Sequence, residues 1–363
     1  MRPIERITVH GWKSIAAQTI ELRDLNVLIG ANGSGKTNFI SLFRLLSAIR
    51  DKRLQLFVGV QGGPEPLLHG GSKRTSEIDV ELDFASKLGY GVHLVATQAQ
   101  SLLINAELIW NDETGRQLGG GAPSPESTLD ILRLIPPTDE PHWVKAPEIQ
   151  RALEGLRAYH FHDTGAEARV KALCDLEDNV RLREDASNLA AVLYLLKHSD
   201  EPAYTRIVRT VRLAAPFFDD FTLAPSRLNP GKIQLEWRDR YSDSLYNAHS
   251  LSDGTLRLIC LTTLFFQPSP PDVIVIDEPE LGLHPYAIHL LAAMMRSAST
   301  RIQVIAATQS VTLLNQLAPE EIVVVDRRAE GSSFRRLSAE DLAAWAGDHG
   351  VGSKLEALAG FSP

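Results

Sequence analysis

Gly30-Ala31-Asn32-Gly33-Ser34-Gly35-Lys36-Thr37, the stretch GANGSGKT, decides how this chain is read. It satisfies the spacing GxxxxGK[ST]. The glycines let backbone N–H groups turn inward around phosphate oxygens, and a following helix N-terminus adds a favourable field. Lys36 neutralises the β and γ phosphates, and Thr37 offers a hydroxyl to Mg²⁺. The flanks agree with this reading. Residues 26–29 are a short apolar run that reads as a strand, and residues 38–50 place Phe39, Ile40, Phe43, Leu46 and Ile49 at helical spacing. Asn38, at the start of that helix, joins the eight loop residues as a candidate for nucleotide binding. A bare glycine turn would explain the loop but not its strand and helix.

Such a loop needs an acid at the end of a buried strand, because Mg²⁺ takes hard oxygen ligands facing the phosphates. The run VIVIDEPE supplies Asp277 for the metal, followed by Glu278 where a carboxylate could polarise the attacking water. For Glu278 the plainer alternative is a charge at a helix N-terminus beside Pro279. Most of the chain lies between Lys36 and Asp277, so a large insertion separates the two halves of one site.

Working outward, residues 4–9 read as a strand, and residues 78–84, 90–97 and 102–110 alternate as three strands of an antiparallel flap. The linker GRQLGGGAPSPEST is the sharpest break in composition. From about residue 147 to 212 the pattern turns helical, with Leu189, Val192, Leu193 and Leu196 behind a cap at Ser187. Strands follow at 217–223 and 232–237, then a helix at 255–266 and the apolar strand 273–276. A helix at 287–295, a strand at 302–307, a helix at 311–317 and a strand at 322–325 complete the run. Near-continuous apolar strands between helices require a parallel sheet buried on both faces, so the fold class is α/β.

Composition narrows the function. With 363 residues, 44% hydrophobic and 23% charged, the chain is neither disordered nor low-complexity. Lys and Arg number 37 against 45 Asp and Glu, a net charge of −8. No global positive field exists to hold nucleic acid, so any such contact needs a local patch or a partner. Cys174 and Cys260 cannot form a disulfide framework or a four-ligand zinc site by themselves. A cytoplasmic setting is expected, with no membrane contact, since the apolar stretches 189–196 and 258–266 fall short of the roughly 18 residues a span needs.

Ser252-Asp253-Gly254-Thr255, taken alone, reads as a helix cap and turn. Its place shortly before Asp277 matches ABC-type ATPases, in which an LSGGQ-like signature meets the nucleotide held by the opposite subunit. WKSI at 12–15, GANGSGKTNFI, LSDGTLR, and IDEPELGLHP continuing through Leu283, His284 and Pro285 carry the likeness further, with softer support from YHFHDTG and SNLAAVLYLL. Across most of residues 1–325 the chain resembles the stand-alone bacterial ATPases of the RecF/SMC-like branch of the ABC superfamily, also called AAA-family ATPases.

The resemblance implies a P-loop NTPase, an ABC-type ATPase head with an antiparallel β flap and a helical insertion. Its divisions would be a first lobe (1–115), a mainly helical insertion (116–250), a second lobe with signature, acid and switch (251–328) and a C-terminal extension (329–363). ATP and Mg²⁺ are the implied cofactors, and a head-to-head homodimer with two sandwiched ATPs is the implied assembly. Ser252, Asp253 and Gly254 would then serve the partner's ATP. Lys13 is a candidate for reaching the phosphates or the nucleotide edge, or it is a plain surface lysine. The implied function is an ATPase switch acting with DNA or a partner effector in DNA repair or anti-phage defence. Two other readings stand beside it: the ATP-binding subunit of a transporter, and the ATPase half of a two-protein nuclease whose nuclease or Toprim-like chain is encoded separately.

One departure bears on rate. Where the family usually has Thr-His-Ser, this chain has Thr308-Gln309-Ser310. Gln309 is kept as a catalytic candidate, but glutamine donates a hydrogen bond without exchanging a proton near neutral pH, so slow turnover is expected. Gln55 and Gln61 lie where a Q-loop glutamine would be. His160, His162 and Asp163 invite a metal reading if alternation puts both histidines on one strand face; a strand running into an Asp-Thr-Gly turn explains them equally.

Overall fold

The computed structural model describes residues 4–112, 116–119, 122–132 and 146–337. The chain opens with β1 (Ile4–Trp12), β2 (Ile15–Glu21) and the fully buried β3 (Leu25–Ile29), which delivers the glycine loop to α1 (Lys36–Arg50). A short α2 (Leu54–Val60) precedes β4 (Glu77–Phe84), β5 (Leu88–Ala96), β6 (Leu102–Asn111) and β7 (Arg116–Gly119). Then come α3 (Leu129–Leu132), α4 (Ala146–Glu154), β8 (Leu156–Tyr159), β9 (Cys174–Asp175), α5 (Leu189–Ser199) and α6 (Glu201–Ala214). Four small strands follow, β10 (Phe218–Thr222), β11 (Lys232–Ile233), β12 (Glu236–Asp239) and β13 (Leu245–Asn247). The last third holds α7 (Asp253–Phe266), β14 (Val273–Asp277), α8 (Pro285–Ser299), β15 (Gln303–Thr308), α9 (Val311–Leu314), β16 (Ile322–Arg328) and β17 (Gly331–Arg336).

Two six-stranded sheets organise these elements. The central one runs β17-β16-β3-β15-β14-β8, parallel except for the β16–β17 hairpin. The other, β2-β1-β4-β5-β6-β7, is antiparallel throughout and contains the expected flap. Register decides the site: Asp277 lies opposite Ala307, and Thr308 opposite Ile29. The carboxyl ends of β14, β15 and β3 therefore line up along one edge, where open α/β sheets bind ligands.

Most apolar side chains of the central strands divide between two cores, while Ile29, Ile322 and Val324 join Leu314 and Leu337 in a third, smaller cluster. Val27, Ile274, Ile276, Val304 and Ala306 pack with α5, α6, α7 and α8. Leu28, Val273, Val275, Ile305 and Ala307 pack with α1, α4 and the inner face of the antiparallel sheet. Gln303 ties the sheets together, accepting from the Ile4 N–H at 3.1 Å and donating to the Ile4 and Arg23 carbonyls at 2.8 and 2.9 Å. Trp12 is fully buried in the second core, and its indole N–H reaches the Asn38 carbonyl at 2.8 Å. Trp12→Ala is expected to cost about 3–5 kcal/mol in urea unfolding; a loss below about 1 kcal/mol would mean the flap packs independently of the glycine loop.

Several expectations need correction. The cap of α5 is Asn188, not Ser187; the Asn188 side chain accepts from the Arg183 N–H and donates to the Asp178 and Arg181 carbonyls, which buries it completely. The helical reading of 147–212 hid β8, a four-residue strand at the edge of the central sheet. The strand expected to carry His160 and His162 ends at Tyr159, so alternation does not apply to them. Residues 338–363 of the expected C-terminal extension lie outside the described residues.

Candidate functional site

The glycine loop is shaped by its neighbours. Gly35 caps α1 with φ 115°, in the left-handed region, and a Cβ there would meet Ser332 Oγ at 2.1 Å and Ser14 Oγ at 2.7 Å. A Cβ on Gly30 would meet the Val325 carbonyl oxygen at 2.1 Å, whereas Gly33 (φ 78°) faces open space. Ser332 Oγ lies 2.8 Å from Ser14 Oγ and 2.5 Å from the Ser34 carbonyl, while Asn38 donates to Ser14 Oγ at 2.8 Å. The turn before β2 and the first residues of β17 thus clasp the loop from outside.

Lys36 is only 5% exposed and donates to the Gly30 and Ala31 carbonyls at 2.5 and 3.1 Å, which folds its ammonium across the loop's mouth. Burial lowers its pKa, and the carboxylates of Glu278, Asp277 and Glu280 act in the opposite sense. Three acids and the lysine thus share one electrostatic neighbourhood, as the sequence reading requires of Lys36, Asp277 and Glu278.

Asp277 closes β14 at 6% exposure, with the Thr37 side chain beside it. Burial raises its pKa, the Thr37 side chain opposes this, and Glu278 adds to the rise. Its Oδ1 is buried with no partner among the described residues. An orphaned carboxylate oxygen beside a threonine hydroxyl is a hard-oxygen donor set, so the residues present fit a Mg²⁺ ion held by Thr37 and Asp277.

Glu278 has φ 41°, a left-handed conformation that costs a non-glycine residue about 1–3 kcal/mol. Its N–H is fixed by the Ala307 carbonyl at 2.8 Å, and its carboxylate accepts from the Gln309 side-chain amide. Glu280, 8% exposed, accepts from the Thr308 hydroxyl and from the Gln309 N–H at 3.4 Å; its other oxygen is buried and unpartnered. Burial raises the Glu280 pKa, against the pull of these donors. Thr308 and Gln309 are therefore held by two acids of the DEPE run.

The signature stretch sits elsewhere. Ser252 caps α7, accepting from the Thr255 N–H at 3.2 Å, with Asp253 exposed beside it. A Cβ on Gly254 would strike the Gly282 carbonyl oxygen at 2.3 Å, so the helix start rides on the DEPELG turn. Among the described residues, no hydrogen bond joins residues 252–254 to the glycine loop. Arg257, 5% exposed, donates to the carbonyls of Phe161, His162 and Leu281 and locks α7 to the segments that follow β8 and β14.

Other candidates resolve differently. Lys13 (φ 47°) lays its ammonium 5.2 Å from the Trp12 ring centre, and burial lowers its pKa, with Arg44 adding to the effect. The Gln55 amide is engaged by the Leu102 and Pro125 carbonyls, both at 2.7 Å, and Gln61 ends α2. His162 Nε2 contacts the Asp277 carbonyl at 2.9 Å, and Asp163 closes a turn onto the Gly165 N–H at 3.2 Å. Among the described residues, no cluster of His, Cys, Asp or Glu suits a metal ion. Ser14, Ser332, Arg257 and Glu280 were given no role by sequence. Glu280 lay in plain view as the third acid of IDEPE, and Ser14 and Arg257 lay within WKSI and LSDGTLR.

Among the described residues, no helix is long and apolar enough to cross a membrane. Comparison with solved structures gives the same architecture. The Smc head bound to the C-terminal winged-helix domain of ScpA aligns with TM-score 0.56 and 17% identity, covering 94% of this chain and 99% of that one. The Smc head with an extended coiled coil, bound to the C-terminal domain of ScpA, from Pyrococcus furiosus aligns at 0.58 and 14%, covering 95% and 99%. The Smc head with a coiled coil and joint from Pyrococcus yayanosii aligns at 0.56 and 13%, covering 95% and 99%. At these identities the likeness concerns the fold. No curated protein matches the sequence. A family profile described as "AAA domain, putative AbiEii toxin, Type IV TA system" matches residues 25–315, and the chain belongs to that family.

Proposed function

We propose that this protein is an ATP-binding and slowly hydrolysing switch whose two copies close head to head around ATP. The observation that carries the reading is the buried Asp277 with its unpartnered Oδ1, set beside a Glu278 already held by Gln309. Thr37 and Asp277 would hold Mg²⁺, which supplies charge neutralisation for the β and γ phosphates when bound. Lys36 leaves the Gly30 and Ala31 carbonyls for the phosphates. Gln309 turns its amide from Glu278 toward the terminal phosphate, and the freed Glu278 carboxylate orients water and accepts its proton. Gln309 cannot relay that proton, which supports slow turnover.

Ser252, Asp253 and Gly254 complete the partner's site in this scheme, consistent with their lack of bonds to the glycine loop of their own chain. The family's description, a putative AbiEii toxin of a Type IV toxin–antitoxin system, supports a role in defence with a separately encoded partner over one in repair. A mixing experiment tests the shared site. Lys36→Ala and Ser252→Arg proteins are each expected to lack ATPase activity, while their mixture regains part of it, because one of the two sites in the mixed dimer is intact. A mixture as inactive as its components would exclude a site built from two chains.

A further inference from the structure

An open groove of about 480 Å³ lies at the carboxyl end of β8, beside the strand that carries Asp277. Its walls hold Arg53, Arg157, Arg169, Arg181, Arg183 and His160, with Glu184 and Asp185 as the acids. Five guanidinium groups from four separate stretches of a chain of net charge −8 do not converge by average composition. The pairing within the groove is loose. Arg157 stands 3.7 Å from Glu184 and Arg169 stands 3.8 Å from Asp185, both beyond hydrogen-bond distance. Arg53 and Arg183 pair closely with Asp51 and Asp178 at 2.7 and 2.6 Å. Among the described residues, Arg181 is exposed and has no ion-pair partner.

Two buried, unpartnered nitrogens also belong to residues of the groove wall. Arg157 Nε and His160 Nδ1 are buried without a partner among the described residues. Burial lowers the Arg157 pKa first, and the cations Arg50 and Arg181 add to it, as expected where positive charge is under-compensated. No Phe, Tyr or Trp lines the groove, so it offers no large ring on which to stack a base.

The geometry points to this groove as a binding site for the phosphate backbone of nucleic acid, contacted without sequence preference by Arg157, Arg169, Arg181 and Arg183. Guanidinium forks suit phosphate oxygens, and an open cleft of exposed arginines suits a ligand that passes through it. The position also matters. The segment from Arg157 through His160 runs on to His162, which touches the Asp277 carbonyl, and to the two carbonyls that Arg257 holds. This inference refines the proposed switch by naming what its head grips, yet its test needs no nucleotide.

The test is anisotropy of a fluorescein-labelled DNA duplex of random sequence, titrated with the full chain at several salt concentrations. Wild-type protein is expected to bind with log affinity falling linearly in log salt. The triple variant Arg169→Gln, Arg181→Gln, Arg183→Gln should bind at least about tenfold more weakly, its salt slope reduced by about one for each arginine that meets a phosphate. Arg181→Glu alone, which breaks no ion pair among the described residues, should weaken binding in the same direction. Inorganic tripolyphosphate at equal phosphate concentration should compete poorly; equal competition would assign the groove to a free phosphate ligand and overturn the backbone reading. Absence of wild-type binding, or unchanged affinity and slope in both variants, would also overturn it. Either outcome leaves the mixing result for the ATP site standing or falling on its own.

Discussion

Glu278→Gln protein will bind ATP, lose about 10²–10⁴-fold in turnover, and accumulate as a dimer of twice the monomer mass in size-exclusion chromatography with light scattering. The substitution suits the site unusually well. Gln keeps an oxygen that can accept from Gln309, and it imposes no more backbone strain at φ 41° than Glu does. What it removes is the capacity to take a proton from water. With Mg²⁺ and saturating ATP the closed state should therefore persist. A variant that stays monomeric under those conditions would remove dimer closure from the account, and one that hydrolyses at the wild-type rate would remove Glu278 as the base.

Lys36→Ala should raise the dissociation constant for ATP by at least about 10–100-fold, the worth of one or two charge-assisted hydrogen bonds. In the free protein the ammonium already bonds two loop carbonyls, so its loss touches the loop as well as the ligand. The clasp of Ser14, Ser34 and Ser332 remains in place, and the melting temperature should change little. Isothermal titration calorimetry separates the two effects. Unchanged affinity would mean the glycine loop does not hold the phosphates.

The central features were legible because each lies within a contiguous run. GANGSGKT and VIVIDEPE carry their chemistry in local spacing, and the strand before each is apolar enough to be seen. Gln309 was found by its place after β15, and the structure puts it on Glu278. What stayed hidden depends on distance or brevity. Ser14 and Ser332 come from opposite ends of the chain, and no spacing rule joins them. The four-residue β8 is too short to display a period and was absorbed into a helical stretch. At residues 160–163 the alternation seen in YHFHD was accidental, since His160 N–H pairs with the Glu184 carbonyl of a loop instead of a strand. Arg157, Arg169, Arg181 and Arg183 read equally as a solvated face or a nucleic-acid patch, and the fold gathers them with Arg53 around one groove.

The serine clasp has a thermodynamic consequence. A glycine-rich loop that ordered only on meeting its ligand would forfeit about 1–2 kcal/mol of backbone entropy per residue on binding. Here Ser332, Ser14 and Asn38 order the loop beforehand. Nucleotide uptake by a single head should then show a small heat-capacity change, and the large negative change typical of buried apolar surface should appear only at protein concentrations where two heads meet. Calorimetry across a dilution series would thus register the joining of the heads as a step separate from the arrival of ATP.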